Sequence, residues 1–474
     1  MKKCLALAAV LPFVLACGTS QAPDPCGPVP SPQQWEWQKM ETNLFLHFGP
    51  NTFTGVEWGD GKESEEIFQP SALDCRQWVS VAKAAGFKGV IITAKHHDGF
   101  CLWPNPESTH TVAQSSWRDG KGDVLRELSD ACREAGMKFG VYVSPWDRNH
   151  PSYGTPEYNQ VFVRTLEHIY ANYGEIFEQW FDGACGEGPN GKKQVYDWDL
   201  FNGTVFREQP QAVIFSDAGP GCRWVGNEEG HAGRTNWSTI DKSSLFPGKG
   251  GINDLLNQGV EGAPDWAPAE TDVSIRPGWF WRASETPKVK SVEKLLQIWY
   301  ESVGRNSLML LNVPPDDRGR IDPVDSARLI EFRAALDQIL ATDLSAGAKV
   351  KASHTRGRSF SAGMMLDGDE NHYWAAPDGV TAASFVVTLP EERAFNRVLL
   401  QEYIPLGQRV RRFRIEVPDG DGWKELASET TIGYKRIVPV PTTTASRIRI
   451  SIDDARACPT ISRFGLYKDS VSAL

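Results

Sequence analysis

The chain has 474 residues, a formal net charge of −10 and 41% hydrophobic content. At roughly 150 residues per domain it is too long for one ordinary unit and suits a barrel-sized domain followed by a smaller one. The acidic balance leaves no basic face of the kind nucleic acid requires, so nucleic acid is not an expected partner.

Met1-Lys2-Lys3 and the apolar stretch from Cys4 to Ala16 have the charged start and short apolar core of an export signal, too short to span a membrane. Val14-Leu15-Ala16-Cys17 resembles a bacterial lipobox, in which Cys17 would be lipidated. Residues 1–17 are therefore expected as a signal peptide and 18–35 as a polar, Pro-rich tether. The expected location is the periplasm or outer membrane of a bacterium, with membrane contact only through the lipid anchor. Setting Cys4 and Cys17 aside leaves seven cysteines with no CxxC spacing, which points to buried thiols rather than a disulfide framework or a zinc site.

From residue 36 to 342, short apolar runs alternate with amphipathic stretches, as βα units of a parallel sheet require. Seven strands are expected, at 44–48, 89–94, 139–143, 176–181, 212–216, 273–275 and 308–313. An eighth is not evident, so the expected architecture is an α/β fold, a (β/α)8-like TIM barrel that is irregular or open at one place. Helix ends are legible at Asp123 and Gly136, at Thr155-Pro156-Glu157, and at Asp322-Pro323. After Thr342 the pattern changes to alternating strands with Asp-Gly turns, a β-sandwich over 343–474.

The expected strand ends collect polar and aromatic residues: His47, then Glu57-Trp58; Lys95-His96-His97-Asp98; Trp180 and Asp182; and Arg223 through Glu228-Glu229. The C-terminal strand ends of a parallel barrel hold its active site. Two carboxylates there, Asp182 and Glu228, are the minimum a retaining glycosidase needs, with Glu229 as the fallback acid/base and Arg223 placed to hold an acid ionised. His47, His96, His97 and Asp98 could instead ligate a metal. Adjacent histidines on one strand point to opposite faces, however, so no metal site and no cofactor are expected. As hydrogen-bonding groups, the three histidines with Glu57 and Trp58 suit a small polyhydroxylated ligand with one apolar face.

The segments Lys95–Phe100, Trp180–Gly183, Arg223–Glu228 and Val303–Pro315 resemble the α-L-fucosidases of glycoside hydrolase family 29. Gly226-Asn227-Glu228, in which Glu228 follows Asp182 by 46 positions (228 − 182), more resembles the subfamily that removes 1,3- or 1,4-linked fucose from branched Lewis-type ends. The resemblance implies a retaining exo-α-L-fucosidase acting on a fucosylated oligosaccharide, with Asp182 the nucleophile and Glu228 the general acid/base. It also implies that His47, Glu57, Trp58, His96, His97 and Trp180 contact the sugar, Trp58 against its 6-methyl group. The aromatic run Trp279-Phe280-Trp281 belongs to the pattern without an assigned contact. Leu366–Asp369 with Tyr373-Trp374 resembles discoidin-like, galactose-binding-type sandwiches, here expected to brace the barrel. The alternatives are a glycan-binding protein that has lost catalysis and another retaining barrel glycosidase such as a galactosidase. Oligomeric state is not set by the sequence.

Overall fold

The computed structural model describes residues 21–471. The expected signal peptide and lipobox lie outside them. Eight parallel strands close into a barrel: β1 (Thr42–Leu46), β2 (Gly89–Lys95), β3 (Lys138–Val143), β4 (Glu178–Trp180), β5 (Val213–Ser216), β6 (Cys222–Trp224), β7 (Ala269–Ser274) and β8 (Ser307–Asn312). β8 pairs with β1 from Thr42 opposite Met309 to Phe45 opposite Asn312, so the ring is continuous and the expected gap is absent. The eighth strand is β6, which lies in the stretch expected as a loop.

Alternation along the strands decides what faces the lumen. Phe45, Ile91, Tyr142, Trp180, Phe215, Cys222, Leu308 and Leu310 form one buried inner cluster. Their neighbours Leu44, Leu46, Val90, Ile92, Val141 and Val143 pack outward against the helices. The helix ends read from the sequence are in place, one of them without its side-chain cap. Asp123 accepts from the Arg126 N–H at 2.8 Å at the start of helix Val124–Ala135, which ends at Gly136 with φ +66°. Thr155 sits at the N-cap of helix Pro156–Asn172, but its hydroxyl turns back to donate to the Ser152 carbonyl at 2.7 Å.

The C-terminal domain is an antiparallel sheet of seven strands: β9 (Lys349–Ala352), β10 (Trp374–Ala375), β11 (Ala383–Glu402), β12 (Val410–Asp419), β13 (Gly422–Glu429), β14 (Arg436–Ala455) and β15 (Thr460–Tyr467). Its order is β10-β15-β11-β14-β12-β13, with β9 on the other part of β11. β11 runs unbroken for 20 residues. Register shifts after Thr388 and Phe395 let it bend over its own core without leaving the ladder.

The stretch expected as a tether is tied down over its described part. The Cys26 N–H donates to the Leu406 carbonyl at 2.9 Å, Arg409 donates to the Asp24 carbonyl at 2.7 Å, and helix Pro32–Met40 begins inside it. Composition alone could not reveal that these residues complete backbone pairing on the sandwich.

Candidate active site

A cavity of about 840 Å³ opens at the C-terminal ends of the barrel strands. His47, Glu57, Trp58, His96, His97, Trp180, Asp182 and Glu228 all line it, so eight of the nine residues expected from sequence are brought together. Asp182 continues the inward alternation of Glu178 and Trp180. Its Oδ2 accepts from the Tyr142 hydroxyl at 3.0 Å and its Oδ1 from the Ala184 N–H at 2.8 Å. Glu228 accepts from Trp279 Nε1 at 3.2 Å, and Glu57 accepts from the Trp279 backbone N–H at 3.1 Å while pairing with Arg282. Trp58 stands at the rim, 59% exposed, with its edge contacts to His97 and Trp146 at 5.6 Å.

His96 and His97 both face the cavity, with ring centroids 4.2 Å apart, against the expectation that adjacent histidines would diverge. β2 ends at Lys95 after a register shift against β3, so strand alternation no longer governs the two rings. Burial lowers the pKa of His47 and of His97 to about 3 and that of His96 well below the usual value.

Arg223 is the exception. Because Cys222 and Trp224 point into the barrel, Arg223 points out of it, fully buried. It donates to the Leu256 carbonyl at 2.9 Å, to Asn236 Oδ1 at 2.8 Å and to the Ala267 carbonyl. It therefore neither lines the cavity nor sits beside the acids; it ties together the long excursion that connects β6 to β7. Glu229, the fallback acid/base, is 79% exposed at its side chain and pairs with His231 outside the cavity.

The two acids sit in different electrostatic settings. Burial raises the pKa of both. For Asp182 the two hydrogen bonds oppose that rise, whereas Glu228 has one such bond and is pushed further up by the charges of Asp182 and Glu57. Two donors thus offset the burial of Asp182, while Glu228 has one donor and two like charges acting on it.

Sequence reasoning missed several lining groups. Tyr142 was hidden in an apolar run. Asp217, raised to about 6 by burial and by Asp182, accepts from the Gly248 N–H at 2.7 Å. Asp272, held well above the usual carboxylate range by burial and the Glu228 charge, accepts from Trp224 Nε1 at 2.8 Å. Beneath the cavity, Trp180 Nε1 donates to Glu270 at 2.9 Å and Trp37 Nε1 donates to Glu178 at 2.8 Å. A carboxylate oxygen of Glu178, one of Glu270 and the Cys222 Sγ lie within 4.8 Å of one another. Burial raises both acids, Glu178 to about 7, and the charge of Glu178 pushes Glu270 up further. Of the unassigned aromatic run, Trp279 lines the cavity, Phe280 packs on His47 and His96, and Trp281 braces the wall by donating to Asp322 at 3.1 Å.

Residues 27–337 match the family model described as alpha-L-fucosidase. The chain belongs to the α-L-fucosidase family. It is thus a glycoside hydrolase, and residues 349–464 match the F5/8 type C domain. Alpha-L-fucosidase 1 of Arabidopsis thaliana is 44% identical over 460 residues, covering 95% of this chain and 90% of that one. A Ruminococcus gnavus GH29 fucosidase solved in complex with fucose superposes with a TM-score of 0.87 at 34% identity, covering 95% and 97% of the two chains. A glycoside hydrolase 29 member from a rumen bacterium gives 0.84 at 40% identity, covering 95% of this chain and 79% of that one. The fucosidase barrel and its C-terminal sheet domain are therefore both shared with solved members of the family.

Proposed function

We propose that the chain is a retaining exo-α-L-fucosidase that releases 1,3- or 1,4-linked fucose from branched, Lewis-type glycans. Asp182 is the nucleophile and Glu228 the general acid/base. The observation that carries the mechanism is the pair itself: one carboxylate hydrogen-bonded by Tyr142 and Ala184, facing a second held toward its protonated form. In the first step Asp182 attacks the anomeric carbon while the Glu228 proton passes to the departing glycosidic oxygen. In the second, Glu228 takes a proton from water, which displaces Asp182 and restores the original configuration.

The sugar is seated by His47, His96 and His97 over Trp180, with Trp58 at the rim against its 6-methyl group. The branched specificity is supported by the Gly226-Asn227-Glu228 pattern. It is also supported by a cavity with room beyond one ring, whose outer part is lined by Trp198, Phe246, Lys249 and Asn253. Export and lipid anchoring at Cys17 are part of the proposal on the leader sequence alone.

The test is fucose release from a Lewis-type trisaccharide beside a linear glycan with 2-linked fucose, with the first-formed anomer followed by NMR. Release from the branched substrate alone, as the α-anomer, is expected. Equal cleavage of both would remove the linkage assignment, and first release of the β-anomer would remove the retaining mechanism.

A further inference from the structure

The proton positions on two pocket histidines are fixed by groups outside the cavity lining. His47 Nδ1 lies 2.9 Å from Asn312 Oδ1. The orientation of that amide is determined twice. Oδ1 also accepts the His47 backbone N–H at 3.2 Å, and Nδ2 donates to the Trp279 carbonyl at 2.8 Å and to Ser274 Oγ at 2.9 Å. A flipped amide would set NH2 against an N–H and an oxygen against a carbonyl. Since Oδ1 only accepts, His47 Nδ1 carries the proton and Nε2 keeps its lone pair.

On the opposite wall, His97 Nδ1 lies 2.8 Å from Ser144 Oγ. The single hydroxyl proton of Ser144 goes to the Trp146 carbonyl at 2.9 Å, so Oγ accepts from His97 Nδ1–H. His97 Nε2 therefore faces Asp182 Oδ2, 3.6 Å away, with no proton between them. Both rings are neutral, as their burial demands.

We propose that Asn312 and Ser144 are positioning residues that hold His47 and His97 as Nδ1–H tautomers, so that the pocket presents two imidazole acceptors and recognises two sugar hydroxyls through the hydrogens they donate. The proposal rests on fucose being the bound sugar, while the tautomers belong to the free protein. A second consequence concerns the nucleophile. A proton on His97 Nε2 would pair with Asp182, compete with the attack and remove one acceptor. Ser144 keeps that proton on the far side of the ring.

The experiment uses the protein with 15N-labelled histidine, its ring signals assigned through His47→Gln and His97→Gln. Two-bond ring correlations near pH 7 are expected to show Nδ1–H and a bare Nε2 for both rings; an Nε2–H pattern or an imidazolium at either ring would overturn the assignment. In Ser144→Ala, His97 is expected to move its proton toward Nε2 and Asp182, with a KM about tenfold higher, the cost of about one hydrogen bond. Ser144→Thr, which keeps the hydroxyl, restores both the spectrum and KM. Unchanged His97 signals in Ser144→Ala would refute the role of Ser144.

Binding of L-fucose analogues then tests the recognition. At two ring positions, replacing hydroxyl by fluorine, which cannot donate, should weaken binding as much as replacing it by hydrogen. Fluoro analogues that bind like fucose itself would overturn the acceptor reading. Failure of the unmodified protein to bind L-fucose, with both tautomers as assigned, would remove the fucose assignment and leave the histidine assignment standing.

Discussion

Replacing Tyr142 by Phe removes one of the two hydrogen bonds on the proposed nucleophile and little else, because the ring itself stays packed between Trp180 and His96. A hydrogen bond to a charged acceptor contributes about 1.5–3 kcal/mol. Asp182 keeps 27% of its side chain open to the cavity, so the lower end applies. At about 1.4 kcal/mol per pKa unit, losing the Tyr142 donor should raise the Asp182 pKa by about one unit. The sign follows from which form the bond favours. The hydroxyl stabilises the carboxylate, so its loss makes ionisation harder, and the acid limb of kcat/KM moves up by about one pH unit. The assay is the pH profile of kcat/KM on an aryl fucoside for both proteins, with circular dichroism to confirm the fold. The alkaline limb, assigned by the proposal to Glu228, should stay in place. An acid limb displaced by less than about 0.3 unit would refute the claim that Tyr142 holds Asp182 ionised.

Arg223→Met should act on stability and leave that acid limb where it is. It strands three buried oxygens, a loss of about 3–5 kcal/mol, and should lower the melting temperature by roughly 3–8 °C; an unchanged melting temperature with a shifted acid limb would instead place Arg223 beside the nucleophile. Glu228→Ala should slow glycan hydrolysis by at least about 100-fold, and azide should restore turnover of an aryl fucoside and yield the azide of retained configuration. An inverted azide would exchange the two roles. Glu270→Gln keeps the acceptor for Trp180 and removes the second buried carboxyl beside Glu178. Because the folded-state pKa values of Glu178 and Glu270 are raised, the pair contributes stability that is present at low pH and lost as pH rises through about 7 for Glu178. Denaturant midpoints from about pH 5 to pH 9 should therefore fall less steeply in Glu270→Gln, and equal slopes would refute the mutual effect of the two acids.

Most of the barrel was legible because its strands are apolar runs spaced by helices. β6 was not, for a stated reason. Only five residues separate it from β5, around the Gly219-Pro220-Gly221 turn, so no helix intervenes and the repeating pattern skips a beat. That omission misplaced Arg223. In a loop its guanidinium is free to reach Asp182, whereas in a strand between inward Cys222 and Trp224 it must point away. β7 was only half visible, since Glu270, Thr271 and Asp272 interrupt the apolar signal that Val273 begins. The same two acids, with Glu178, are carboxyl groups that the lumen buries. Strand-end residues such as His47 and Asp182 announced themselves at the turns that follow them, while Tyr142 gave no signal, because a tyrosine inside an apolar run looks like core until its hydroxyl is seen to reach Asp182.

The two proposed catalytic carboxylates stand on foundations of different kinds. Asp182 rises directly from the barrel wall. Glu228 rides on the excursion from β6 to β7, whose far side is fastened to the sandwich: the Asn236 N–H donates to Thr431 at 2.9 Å, the Ser238 N–H donates to Gln408 at 2.8 Å, and Arg234 pairs with Glu429 at 2.8 Å. A chain whose sandwich loosens would thus lose its acid before its nucleophile. Such a molecule would still accept fucose from a good leaving group, yet lack the base that frees it, and would end the cycle as a sugar ester of its own aspartate.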